Sequence, residues 1–244
     1  IVVHTTAGVA ALVIAIVLGK RIPFRKNVLH PPHNPVLSMI GACMLWVGWF
    51  GFNGGSALAA DSTASMAILV THIAASLGAF SWVLIEWFRF GKPTLVGMIT
   101  GMVAGLATIT PASGFVGVEG GIILGISGGV LCYIMVDIIR LKMKIDDSLD
   151  VFAVHGIGGM LGTVLCAWLM SEGMGGSGYD EGTDFVSQLR VQLYAVIVAV
   201  LWTAVVTYVI LKLTSILSDL RVDEENETDG LDKSLHGESG YNNL

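Results

Sequence analysis

Charge is what this sequence has least of. Asp, Glu, Lys and Arg make up 13% of its 244 residues, about half the share found in ordinary soluble domains. With 54% hydrophobic residues, the chain has too little polar surface for a soluble globular domain, and no basic face with which to bind nucleic acid. Cysteine is scarce as well. Cys43, Cys132 and Cys166 all fall inside apolar runs, which excludes a disulfide framework and argues against a thiol active site. No nucleophile stands beside a base, no glycine-rich loop matches a cofactor cradle, and no ligand spacing matches a metal centre. His30 and His33 flank Pro31-Pro32 without further ligands nearby, so they make no metal cluster. Neither an enzyme nor a cofactor or metal site is expected. The chain opens with Ile1 directly in an apolar run, without a charged n-region or a cleavage site. It reads as the carboxyl-terminal part of a longer protein.

What the sequence has instead is membrane-length apolar runs. The stretches 1–19, 36–60, 64–88, 94–112, 120–139, 151–170 and 191–218 are each close to the roughly 20 residues that cross a bilayer as helix. The expected fold class is all-α, a polytopic membrane helix bundle of seven spans with the first one partial. Basic residues follow the first, third, fifth and seventh runs, and of thirteen only Arg190 falls on the other side. Loops rich in Lys and Arg stay cytoplasmic, so the first span runs inward and the carboxyl terminus is cytoplasmic. Glycine is abundant at 31 residues. Successive GxxxG steps at Gly97, Gly101 and Gly105, and at Gly117, Gly121 and Gly125, predict closely packed helices.

Two of these runs carry a histidine in matching surroundings. His4 lies in IVVHTTAGVAALVIAIVLG and His155 in VFAVHGIGGMLGTVLCAWLM, each followed by glycine four residues on (Gly8, Gly159) and by valine at nine (Val13, Val164). Ionisable groups at bilayer depth are costly and mark substrate or proton paths. The first and sixth spans run in opposite directions, which is the pattern of an inverted repeat with its working site near the midplane. Helix rise alone does not force the rings together: His4 is about 24 Å from Lys20, whereas His155 is only about 8 Å from Asp150. The rings meet only if Lys20 projects beyond the membrane and Asp150 is sunk within it. His72, in another span, lacks the repeated surroundings and reads as structural.

Near the end of the span 36–60, Trp49, Phe52 and Ser56 are spaced to share one helix face. Aromatic faces attract a cation and a hydroxyl accepts its hydrogen bonds. Asp150, just ahead of the His155 helix, is expected to cap it, a contribution of about 1 kcal/mol. Asp146 and Asp147 lie on the cytoplasmic approach, where they can draw cations or protons.

GWFGFNGGS (48–56), EWFRFGKPTLVG (86–97), ATITPASGFVGVEGG (107–121), IDDSLDVFAVHGIGG (145–159) and GLDKSLHGESGY (230–241) together resemble the ammonium transporter family, the Amt/Mep/Rh proteins, over essentially the whole chain. The resemblance implies an eleven-helix inverted-repeat fold entered late in its fifth helix, with residues 1–220 as the transmembrane channel region. It implies homotrimers in the plasma membrane that move ammonium or ammonia. His4 and His155 are then similar to the paired pore histidines, Phe52 to a gating phenylalanine, Trp49 to a pore-lining tryptophan and Ser56 to the hydroxyl of an outer recruitment site. The family's first helices would add a second gate phenylalanine, a further recruitment aromatic and an acidic residue. An ammonium sensor and a neutral-gas channel share the fold and stay open as alternatives.

After Leu220 the composition turns polar. Residues 221–244 hold two basic and seven acidic side chains, a composition that by itself reads as a solvated end. The resemblance implies a cytoplasmic regulatory tail that includes Gly230 and Ser234. Ser234 lies where relatives can be phosphorylated, and in bacterial and archaeal relatives a PII-type nitrogen regulator can meet this face.

Overall fold

The computed structural model describes residues 1–26 and 32–241; His30 lies outside the described residues. Helices and their connections account for all of them, without a strand among the described residues. Seven long helices follow the seven apolar runs: α1 (His4–Leu18), α3 (Pro35–Gly55), α4 (Ser62–Phe90), α5 (Leu95–Ile109), α6 (Val118–Asp137), α7 (Gly158–Leu169) and α8 (Phe185–Leu217). Short helices complete the chain, α2 (Ile22–Arg25) behind α1, and α9 (Glu224–Asp229) and α10 (Leu231–His236) in the tail. Five segments are long and apolar enough to cross a membrane, whereas α1 and α5, at 15 residues each, are shorter.

Side-chain caps set most of the entries. Asn34 accepts from the Leu37 N–H, Asp61 from Ala64, Thr94 from Gly97 and Asp184 from Ser187, each satisfying a donor that the first helical turn leaves free. The Asp184 cap starts α8 six residues before the apolar run at 191, so Arg190 sits in a helical turn and not in a loop. Two segments depart from α geometry. α6 runs on into a π-helical turn at Ile138–Lys142, and α7 is entered through another at Phe152–Ile157. Such turns in a longer helix are uncommon and concentrate at functional sites.

Glycines set the spacing of the middle of the bundle. A Cβ on Gly101 would press on Trp82, one on Gly121 would come 3.1 Å from Val70 Cβ, and one on Gly125 would come 2.7 Å from the Ala74 backbone. All the glycines of the predicted GxxxG steps but Gly117 thus lie between α4, α5 and α6, where small residues let backbones approach, while Gly117 packs on Gly175. The apolar interior these contacts seal includes Val70, Ala74, Leu106, Ile109 and Leu124, all without solvent exposure. In contrast, only Thr203 of α8 is buried.

Several of the chain's basic residues pair at one end of the bundle. Arg21, behind α1, reaches Asp146 between α6 and α7, and Arg89 at the end of α4 pairs with Asp137 at the end of α6. The tail docks at this end too. Arg221 donates to the Leu18 carbonyl at 3.1 Å, Glu227 accepts from the Ile22 N–H at 2.7 Å, and Arg25 pairs with Glu224.

Candidate functional site

α1 and the start of α7 cross at their histidines. His4 Nδ1 and His155 Nδ1 are 3.0 Å apart, with ring centroids 5.2 Å apart and 18° between the planes. The bonded nitrogens lie between the centroids, so the rings meet edge to edge. The crossing is antiparallel and reciprocal. A Cβ on Gly159 would sit 2.8 Å from His4 Cβ, and one on Gly8 would sit 3.2 Å from the His155 carbonyl carbon and overlap the Gly156 backbone. In each helix the glycine four residues after the histidine makes room for the backbone of the other histidine. The matching context in the sequence is thereby explained as steric necessity.

The end of α1 is tied to the approach of α7 at the basic end. Arg21 donates its backbone N–H and two guanidinium N–H groups to Asp146, at 2.7 to 2.9 Å. This sets the end of α1 level with Asp146, upstream of Asp150. Asp150 itself is partly buried: its side chain is 16% exposed, and its Oδ1 is sealed from solvent without a hydrogen bond. The cap expected from Asp150 is made by Asp147 instead, whose carboxylate accepts from the Val151 and Phe152 N–H groups at 2.9 and 2.7 Å. Asp150 adopts φ +57°, and its carboxylate faces Arg140 at 3.6 Å. That geometry turns it away from the helix it precedes.

The electrostatics here set Asp146 and Asp150 apart. Burial alone would raise the pKa of Asp146, but the hydrogen bonds and charge of Arg21 outweigh it and hold the group below the usual carboxylate range. Asp150 goes the other way. Burial, against partial relief from Arg140, pushes it up from 3.8 to about 6, and the neighbouring Asp147 adds to the rise.

Above the histidines, α3 contributes an aromatic wall. The Trp49 indole lies parallel to the His4 ring, 7° between planes and 5.3 Å between centroids. Phe52 stands edge-on to both, 6.2 Å from His4 and 5.7 Å from Trp49. These rings, with Val3, Ala7, Met44, Leu45 and Val151 among others, line a groove of about 800 Å³. His4 is 3% exposed and its Nε2 has no hydrogen-bond partner. Ser56 lies one turn beyond Phe52, at the end of α3, and donates its hydroxyl to the Phe52 carbonyl at 2.7 Å. The hydroxyl's only proton is thereby used, leaving the oxygen to accept from a donor outside.

One participant escaped the sequence reading. Thr110 accepts the Trp49 indole N–H at 2.9 Å, and its partner stands 61 residues away, beyond any local signal. Asp147, expected on the cytoplasmic approach, caps the helix in place of Asp150. Gly230 and Ser234 lie away from the groove: Gly230, at φ +90°, separates α9 from α10, and the Ser234 hydroxyl in α10 is sealed from solvent without a partner.

The site is an open, largely apolar groove lined by two imidazoles in contact and by aromatic rings of α3. Comparison with known proteins gives it a context. The model of the Ammonium Transporter Family matches residues 1–241. An ammonium transporter of Aquifex aeolicus is 44% identical over 99% of this chain and 56% of its own length, and the ammonium transporter Amt1 of Archaeoglobus fulgidus is 44% identical over 98% and 60%. Among solved structures, a sensor Amt protein matches with TM-score 0.85 at 30% identity over 96% of this chain and 58% of its own. Mep2 of Saccharomyces cerevisiae matches with TM-score 0.80 at 34% identity, over 91% and 53%. The chain thus spans a little over half the length of these relatives. The apolar helices and this kinship make it a multi-pass membrane protein, of a family of transporters and not of enzymes. On the family match and the relatives together, the chain belongs to the ammonium transporter family.

Proposed function

We propose that the protein to which these residues belong moves ammonium across the plasma membrane, recruiting the cation at the mouth marked by Trp49, Phe52 and Ser56 and passing ammonia along the paired histidines. The reading rests above all on the 3.0 Å contact between His4 and His155, made by antiparallel helices at the floor of an aromatic-walled groove. An isolated ammonium ion in such surroundings costs many kcal/mol, whereas ammonia loses only hydrogen bonds. Passage therefore favours separating the proton from the nitrogen. The aromatic faces and the Ser56 oxygen suit the cation, and the two imidazoles suit ammonia and its proton. Relay of that proton makes the transport electrogenic. The same reading makes the molecule a homotrimer with a cytoplasmic tail, 221–244, that serves regulation and can meet a PII-type partner.

Similarity to a structure described as a sensor Amt protein favours a second reading, an ammonium sensor that conducts little. One experiment separates them. The full gene product is reconstituted in proteoliposomes, and ammonium-evoked current and uptake are recorded for it and for His4→Ala and His155→Ala. Transport predicts robust current in the parent and a loss of at least about tenfold in each variant, a barrier change of roughly 1.4 kcal/mol or more. Parent-like values in both variants would return the histidines to a packing role, and a silent parent that still binds ammonium would favour the sensor.

A further inference from the structure

We propose that Thr110 is a positioning residue for the paired-histidine site: its hydroxyl fixes the Trp49 indole, and through that ring the plane of His4. The inference rests on the transport reading above for its consequence, but its geometry stands apart. Thr110 closes α5, where its own N–H and its hydroxyl both donate to the Leu106 carbonyl, at 3.2 and 2.7 Å. Leu106 is fully buried in the interior, and Pro111 follows directly, so the anchor is held on both sides. A hydroxyl has one proton. With that proton on Leu106, the Thr110 oxygen is presented to Trp49 purely as an acceptor, and the indole N–H is purely a donor.

The match selects one orientation of the ring. Trp49 is 7% exposed, so an indole turned away from Thr110 leaves a donor stranded, at a cost that a surface residue would not pay. In the orientation selected, the indole face lies parallel to His4 and its edge meets Phe52. His4 in turn is held edge to edge with His155. A single oxygen at the end of α5 thereby sets the attitude of a ring in α3 and, one contact further, of the imidazole in α1. Thr110 does not line the groove, which makes it a support and not a contact for the passing molecule.

The test is a double-mutant cycle in the full gene product. Thr110→Val keeps the shape and removes the acceptor, Thr110→Ser keeps the acceptor, and Trp49→Phe removes the donor. In the parent, Thr110→Val is expected to lower maximal ammonium-evoked current about tenfold, while Thr110→Ser stays within about twofold. With Trp49→Phe already present, Thr110→Val is expected to cost less than about twofold more, because the bond it breaks is gone. Equal losses in both backgrounds would make Thr110 a mere helix end and overturn the proposal. The same cycle read as Tm in detergent separates the two readings. Coupled Tm values with a silent parent would sink transport but keep the Thr110 bond, and additive Tm values in a conducting parent would sink the bond alone.

Discussion

Asp150 holds a carboxylate where burial penalises its charge and the backbone is strained for most residues. Its pKa is raised from 3.8 to about 6 by burial, partly offset by Arg140, and its φ is +57°. Below pH 3.8 the group is protonated whether the chain is folded or not. Between there and pH 6 the unfolded chain gains the charge first, so folded stability falls as pH rises and then levels off. Asparagine has the same shape, no charge, and tolerates positive φ. Asp150→Asn is therefore expected to raise stability above pH 6 by on the order of 2 kcal/mol and to flatten the profile of Tm between pH 4 and 6. A Tm at pH 7.5 that falls in the variant would show that the Arg140 contact outweighs the burial. Residues of this kind mark where sequence reading stops. His4 and His155 were legible because an ionisable group in an apolar run stands out, and Trp49, Phe52 and Ser56 because helical spacing puts them on one face. Which of Asp147 and Asp150 caps α7 depended on a backbone turn that spacing does not encode, and Thr110 was hidden because hydroxyls are common in apolar helices.

Among elements, the crossing of α1 with the start of α7 is the most constrained. Close approach here needs Gly8 and Gly159 bare. A methyl on Gly159 would lie 2.8 Å from His4 Cβ and 3.2 Å from the Thr5 nitrogen, and neither atom belongs to a side-chain end that can swing aside. Gly159→Ala should cost about 1 to 3 kcal/mol as overpacking and lower ammonium uptake by displacing His4. Gly173→Ala, where a Cβ meets nothing within 4 Å, should stay within about 0.5 kcal/mol. Equal Tm values for the two variants would contradict the crossing. The seven runs in the sequence found the seven long helices because lipid demands a hydrophobic stretch of fixed length. Their ends were less legible, since caps such as Asp184 act outside the apolar run. α2 and the two π-helical turns left no periodic signal at all.

At the scale of the whole molecule, the tail is tied to the bundle by groups that the sequence showed only as a change of composition. Seven acidic residues read as a solvated end, yet Glu227 accepts from Ile22 and from Arg221, and Arg221 reaches back to the last turn of α1. The partners at Ile22 and Leu18 lie 205 and 203 residues away, so composition could not reveal them. Removing the carboxylate with Glu227→Ala leaves the Ile22 N–H and Arg221 without their acceptor. Trypsin should then cut at Lys233 about tenfold faster, as expected when local opening becomes easier. A cleavage rate equal to that of the parent would mean that α9 is held by something else. The reciprocal crossing of the two histidine helices carries one more consequence. Each helix offers the other the same glycine notch, so the backbones at the crossing are alike, but Trp49 and Phe52 pack on His4, which is buried, while His155 stays partly exposed. The two imidazoles are therefore not equivalent. The proton and the nitrogen of the proposed cargo would therefore meet two different partners at one contact, a ring shielded by an indole in α1 and a more open one at the start of α7.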